Sequence, residues 1–245
     1  QDRSSAASDV YKRQTQNGLV GMNVISYRPS DSEDGYFLLL ASPELKRDES
    51  KTVPKSVIFV LDRSGSMNGK KIDQARGALK YVLNRLNKKD TFNIVAYDSA
   101  VESFKPELQR ADGKVLQEAL GFADGIFAGG STNIDSALKT SLGMLKAKGH
   151  PSYVMFLTDG LPTVGTRDER QIASGAKSAN LVGARLFNFG VGFDVNSRLL
   201  DRLSRDHRGQ SVYVRPNEDI EAHVASLYNR ICLLYTSDAA DERSW

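Results

Sequence analysis

From residue 57 to residue 231 the chain alternates short apolar runs with stretches of helical period. Val57-Ile58-Phe59-Val60-Leu61 and Tyr153-Val154-Met155-Phe156-Leu157 are uninterrupted apolar runs rich in β-branched and aromatic residues. Runs of that kind predict strands buried on both faces. Ile72, Ala75, Leu79, Val82, Leu83 and Leu86 then recur at helical spacing and predict a helix over 70–86. The same reading predicts strands over 91–97 and 101–104 and helices over 109–123 and 135–146, the latter with Leu138, Leu142 and Leu145 on one stripe. Beyond the 153–157 strand it predicts a helix over 168–179, a strand over 184–191, a helix over 196–203, a strand over 211–214 and a helix over 218–231. Strands separated by helices imply a mostly parallel sheet covered on both faces. Upstream the pattern differs. Two strands, 19–27 and 36–40, flank the turn-rich Arg28-Pro29-Ser30-Asp31-Ser32-Glu33-Asp34-Gly35, and a charged connector over 44–51 runs up to Pro54.

The two fully apolar strands end in polar residues of one chemical kind. The first runs into Asp62-Arg63-Ser64-Gly65-Ser66-Met67, and the second into Thr158-Asp159-Gly160. In open parallel sheets, ligands sit beyond the carboxyl ends of strands, where both aspartates fall. One carboxylate and two hydroxyls on a single short loop, without His or Cys, suit a hard divalent cation such as Mg²⁺. Gly129-Gly130-Ser131-Thr132-Asn133 offers a further hydroxyl on a loop that its glycines leave free to move. Structural readings of single residues remain open. Asp62 alone could cap a helix or close an Asx turn, and Ser64 or Ser66 could cap a helix starting near Asn68. The stretch from Gly65 to Lys71 has the wrong glycine spacing for a phosphate-binding loop and no Ser or Thr after the lysine. His150, His207 and His223 are far apart among polar neighbours and read as surface residues; Arg63 and Met67 read as the rim of the candidate site.

Composition narrows the classes. The formal net charge is +3 and the basic residues are spread along the chain, which argues against a dedicated nucleic-acid surface. No apolar run approaches the ~20 residues that span a bilayer. The two ends carry a different message. Residues Ser4 to Gln14 back-translate into a transposase-end adapter used in preparing sequencing libraries, and the reverse complement, in the appropriate frame, gives Cys232 to Glu242. Residues 1–14 and 232–245 are therefore read as translated adapter artefacts and set aside. The only cysteine, Cys232, goes with them, which removes disulfides and thiol catalysis from consideration.

Asp62, Ser64, Ser66, Thr132 and Asp159 together resemble the metal-ion-dependent adhesion site of von Willebrand factor type A (VWA) domains. The resemblance implies an α/β fold: a Rossmann-like, doubly wound, mostly parallel sheet flanked by helices, here preceded by a truncated β segment. It implies direct coordination of Mg²⁺, with Mn²⁺ or Ca²⁺ as alternatives, by Ser64, Ser66 and Thr132, with Asp62 and Asp159 acting through bound water. The expected partner is a protein presenting Asp or Glu, with neither nucleic acid nor a membrane span involved. Asp34-Gly35-Tyr36-Phe37, Ala41-Ser42-Pro43, Thr158 to Gly165 and Gly190 to Val195 are similar to the family of inter-alpha-trypsin inhibitor heavy chains and its bacterial relatives. In that family a β-rich VIT domain precedes the adhesion-type domain. The expected organisation is then the end of a VIT-like domain with its linker over 15–53 and the VWA domain over 54–231. Exported, periplasmic or envelope-associated localisation is expected, and a non-enzymatic role in adhesion. A Mg²⁺-dependent hydrolase and a scaffold whose metal only stabilises the fold are the alternatives; no His or tuned general base lies beside the motif to favour the first.

Overall fold

The computed structural model describes residues 20–28, 30, 32, 34–43, 53–146 and 149–234. The expected adapter segment 1–14, most of its counterpart at 232–245 and the connector 44–51 lie outside these residues. The chain divides into two compact units, one of residues 1–51 with 233–245 and the other Thr52–Cys232.

In the first unit, β1 (Val20–Tyr27) and β2 (Tyr36–Pro43) form an antiparallel ribbon in which Tyr27 faces Tyr36. Strand β2 runs three residues past the expected Leu40, because its pairing continues to Pro43 opposite Val20. Val24, Ile25, Tyr27, Tyr36, Phe37, Leu38, Leu39 and Leu40 are all exposed.

The second unit carries the predicted doubly wound α/β fold. Strands β3 (Ser56–Asp62), β4 (Thr91–Tyr97), β7 (Ser152–Thr158), β8 (Arg185–Val191) and β9 (Gln210–Val214) are parallel. The short β5 (Val101–Ser103) and β6 (Gln109–Arg110) pair antiparallel with β4. The sheet order is β5-β4-β3-β7-β8-β9, which puts β3 and β7 in the middle, buried along their whole length. Among the described residues six α-helices flank the sheet: α1 (Lys70–Leu83), α2 (Gly113–Asp124), α3 (Ile134–Met144), α4 (Glu169–Ala179), α5 (Ser197–Asp206) and α6 (Ile220–Leu234).

Because side chains alternate along a strand, the continuous apolar runs serve two cores. Ile58 and Val60 of β3, with Val154 and Phe156 of β7, pack with Leu138, Ile172 and Leu200 from α3, α4 and α5. Phe59, Leu61, Met155 and Leu157 point the other way, toward Ala75 and Leu79 of α1 and Val224 of α6. The connection leaving β3 thus crosses one face and the connection leaving β7 the other. That makes the gap between these strands' carboxyl ends the topological switch point, where such folds place ligands. Among the described residues no helix is long and apolar enough to cross a membrane.

Four sequence readings are corrected. The helix expected over 109–123 begins only at Gly113, after Asp112 accepts the Val115 N–H at 2.9 Å as N-cap, and Gln109–Arg110 join the sheet instead. Helix α1 stops at Leu83 rather than at 86, and Leu83 itself is core. Met67 is fully buried, so it belongs to the core and not to the rim. His207 is buried as well: its Nδ1 accepts a bond from Asn180 Nδ2 at 2.7 Å.

Candidate functional site

The five residues singled out in the sequence converge at this switch point. Asp62 ends β3, and its carboxylate is fully buried between the ends of two neighbouring strands. Its Oδ1 accepts the Ser64 N–H at 2.8 Å, the Asx turn that bends the chain out of the strand. Its Oδ2 accepts the Thr158 hydroxyl at 2.6 Å from β7 and the Tyr97 hydroxyl at 3.3 Å from β4. Tyr97 is held by its stacked contact with Phe156, whose ring centroid lies 5.7 Å away. Burial pushes the Asp62 carboxyl above its ordinary 3.8; the Thr158 and Ser64 bonds oppose this, and the charge of Asp159 adds to it. The Tyr97 phenol is pushed well above its usual range by burial and then by the Asp62 charge, so it stays a donor.

Ser64 precedes a 3-10 turn, Gly65–Met67, that contains Ser66 and leads into α1. The capping reading of these serines fails. The residue at the start of α1 is Gly69, and neither that cap nor the one on the 3-10 turn uses a side chain. The two hydroxyls lie 3.2 Å apart, and Ser66 donates to Asp159 Oδ1 at 2.7 Å. Asp159 is buried one residue beyond β7, and its Oδ2 lies 2.6 Å from Lys71 Nζ.

Thr132 reaches the site on the loop before α3. Its N–H donates to Thr163 Oγ1 at 2.8 Å, while the Thr163 and Val164 N–H groups donate to its carbonyl. A Cβ placed on Gly160 would lie 3.9 Å from both Ser66 Oγ and Thr132 Oγ1, so both hydroxyls border Gly160. The two glycine-containing loops are bonded to each other through their backbones. Gly65 N–H donates to Gly130 O at 3.0 Å and Gly129 N–H to Arg63 O at 2.7 Å, zipping the two loops together. Gly130 has φ +78°, and a side chain there would press on Asp98. Arg63 is tied back, with Nε 3.1 Å from Asp98 and Nη1 2.5 Å from Glu102.

Three hydroxyls and two buried carboxylates, faced by a single ammonium, form an oxygen-only set with residual negative charge. That donor chemistry fits a hard divalent cation. Among the described residues no group of three or more His, Cys, Asp or Glu comes together, so no softer metal site competes with it. Lys71, Thr158, Tyr97 and Thr163 were not legible as site residues. A lysine in the first turn of a helix and hydroxyls at strand ends or in loops are too common to signal a site without the fold.

The comparisons with known proteins agree with this fold. The family profile described as von Willebrand factor type A domain matches residues 56–228. Inter-alpha-trypsin inhibitor heavy chain H4 of Homo sapiens is 34% identical over 207 residues, covering 81% of this chain but only 22% of the heavy chain. The solved von Willebrand factor type A protein from Catenulispora acidiphila superposes with a TM-score of 0.64 at 19% identity, over 90% of this chain and 46% of that one. The pilus adhesin SpaC from Lactobacillus rhamnosus GG gives 0.60 at 15% identity, over 88% of this chain and 35% of the adhesin. At such identities the two structures speak for the fold alone.

Proposed function

The chain belongs to the von Willebrand factor type A domain family, and from that premise we propose that it is a metal-dependent module that captures an acidic group on a protein partner. The supporting observation is the pair of buried aspartates, Asp62 and Asp159, set among hydroxyls that have no capping task. Ser64, Ser66 and Thr132 would hold Mg²⁺ directly and Asp62 and Asp159 through water, and the bound ion supplies a positive centre that a partner's carboxylate completes. Neutral hydroxyls do not cancel the cation's charge as carboxylate ligands would, which suits an acidic ligand. The zipped Ser64 and Thr132 loops hold their oxygens ready, so little ordering is left to do on binding. The role is one of interaction and not of catalysis.

Thermal unfolding with Mg²⁺ against chelator, in wild type and Asp62→Ala, tests this reading together with Mg²⁺-dependent retention on an immobilised acidic peptide. Binding to the native state alone raises the melting temperature. We expect a Mg²⁺-dependent rise and retention in wild type and neither in the variant. A cooperative wild type indifferent to Mg²⁺ would sink the proposal.

A further inference from the structure

Asp159 is the one site carboxylate in contact with a cation that the chain itself supplies. Lys71 Nζ lies 2.6 Å from Asp159 Oδ2 and 3.3 Å from the Ser66 carbonyl, while the Ser66 hydroxyl donates to the other carboxylate oxygen. These two partners of Asp159 behave differently toward an incoming ion. A hydroxyl rotates and offers a lone pair, so Ser66 can turn from donor to ligand. An ammonium has only donors and cannot. While Lys71 stays, it occupies one acceptor site of Asp159 Oδ2 and sets a positive charge beside any incoming ion. The contact is not locked, however. The Asp159 side chain is fully buried, whereas the Lys71 side chain is 35% exposed on a flexible stem at the start of α1.

Charge adds a second consequence. Asp62 and Asp159 carry the site's two negative charges, and Lys71 offsets one of them. When a divalent ion enters beside Lys71, positive charge exceeds negative by one, and the excess is met by a carboxylate from outside. Without Lys71 the ion and the two aspartates balance, and an acidic ligand gains less. Arg63 cannot replace it, since its guanidinium is already paired with Asp98 and Glu102.

We propose that Lys71 is the residue that sets the site's selectivity: it holds the affinity for Mg²⁺ alone low and makes metal and acidic ligand bind cooperatively. This rests on the metal-dependent reading above. By linkage, a carboxylate ligand then raises the affinity for Mg²⁺ in the same ratio as Mg²⁺ raises that for the carboxylate.

The test is calorimetric titration of the full chain with MgCl₂, with and without acetate, in wild type, Lys71→Met, Lys71→Gln and Lys71→Arg. Repulsion between an ammonium and a divalent ion a few ångströms apart, discounted for solvent exposure, predicts Mg²⁺ binding about tenfold tighter in Lys71→Met. The same variant loses the gain in Mg²⁺ affinity that acetate gives wild type, and Lys71→Arg keeps both wild-type values. Lys71→Gln, which retains a donor for Asp159, shifts in the direction of Met and covers a Met variant that folds poorly. In chelator Lys71→Met melts lower than wild type, since it loses the ion pair. A purely structural lysine would weaken Mg²⁺ binding along with stability, so opposite signs for the two readouts are the signature. Mg²⁺ binding unchanged or weaker in folded Lys71→Met, with wild type binding and Asp62→Ala not, overturns this inference and leaves the metal site standing. Absence of Mg²⁺ binding in every chain overturns both.

Discussion

Two ends of the same sheet bury carboxylates, and they satisfy them in different ways. At the amino end Asp90, just before β4, is fully buried and accepts the Lys55 N–H at 3.0 Å, the Asn87 N–H at 2.8 Å and Lys55 Nζ at 2.6 Å. Lys55 is itself buried and continues into β3. At the carboxyl end Asp62 and Asp159 are served by the hydroxyls of Thr158, Tyr97 and Ser66, the Ser64 N–H and the half-exposed Lys71. Backbone N–H groups and a buried ammonium can only donate. Hydroxyls can reverse, and an exposed lysine can leave. The amino end is therefore a closed structural joint, and the carboxyl end includes hydroxyl donors able to become ligands.

The same isosteric change should have opposite consequences at the two ends. Asp90→Asn turns an NH₂ group toward donors and leaves Lys55 buried without its counter-charge. Breaking a buried pair in this way costs about 3–5 kcal/mol. We expect a large fall in melting temperature in denaturation experiments, with the response of any folded fraction to Mg²⁺ unchanged. If Asp90→Asn unfolds within 1 kcal/mol of wild type, a magnitude typical of a single ordinary hydrogen bond, the joint is not closed.

Asp62→Asn should cost far less in chelator, within about 1 kcal/mol, because Thr158 and Tyr97 can turn to suit an amide and a raised carboxyl pKa already marks the charge as unfavourable there. Its effect lies in the metal response. Wild type at a hundredfold excess of Mg²⁺ over Kd gains about 2.7 kcal/mol by mass action, and the variant gains none. Equal Mg²⁺ responses in the two chains would erase the distinction between the sheet's ends.

Much of this was readable from the sequence, for identifiable reasons. The apolar runs of β3 and β7 are long enough to fix a buried parallel sheet, and that topology assigns Asp62 and Asp159 to carboxyl ends before any coordinates are known. Ser64 and Ser66 lie on the loop that leaves β3, whereas Thr132, on the loop before α3, was reached through the family resemblance. What could not be read were contacts made by register and rotamer. Lys71 resembles any lysine on an amphipathic helix until Asp159 is found beneath it. Met67 sits in a polar run, and only the 3-10 turn carries it inward. Gln109 and Arg110 were absorbed into a helix because apolar periodicity blurs across an N-cap. Asp112 followed by Gly113 was the available signal for the boundary.

His207 supplies a smaller effect, away from both ends. Its Nδ1 accepts from Asn180 Nδ2, an amide fixed by two bonds with Ala184, and its buried Nε2 has no hydrogen-bond partner among the described residues. Protonating Nδ1 would set donor against donor. Burial holds the His207 pKa below the ordinary 6.5, Lys177 helps and Asp206 opposes. The unfolded chain therefore takes up the proton first. The stability from neutral His207 is present above pH 6.5 and lost as pH falls through the depressed folded value. Replacing His207 with Gln should flatten the loss of stability on the acid side of pH 6.5 and leave Mg²⁺ binding at pH 8 unaltered. An unchanged acid limb would mean that another group governs it.

The smallest effect on stability is expected where the most sequence is removed. Both sheet ends lie within Thr52–Cys232, one compact unit, whereas β1 and β2 belong to the other. A two-stranded ribbon is marginal by itself, and this one leaves Tyr36 69% and Phe37 75% exposed. It has little folding free energy of its own to contribute, and exposed apolar side chains beside open strand edges invite pairing between chains. A chain starting at Thr52 should unfold within about 0.5 kcal/mol of the full chain, the range of ordinary surface changes, and keep its Mg²⁺ response. Its gain should appear in association: monomeric elution at concentrations where the full chain forms larger species. A fall of several degrees in melting temperature on removing residues 1–51 would overturn this, and the stability of Thr52–Cys232 could then no longer be credited to that unit alone.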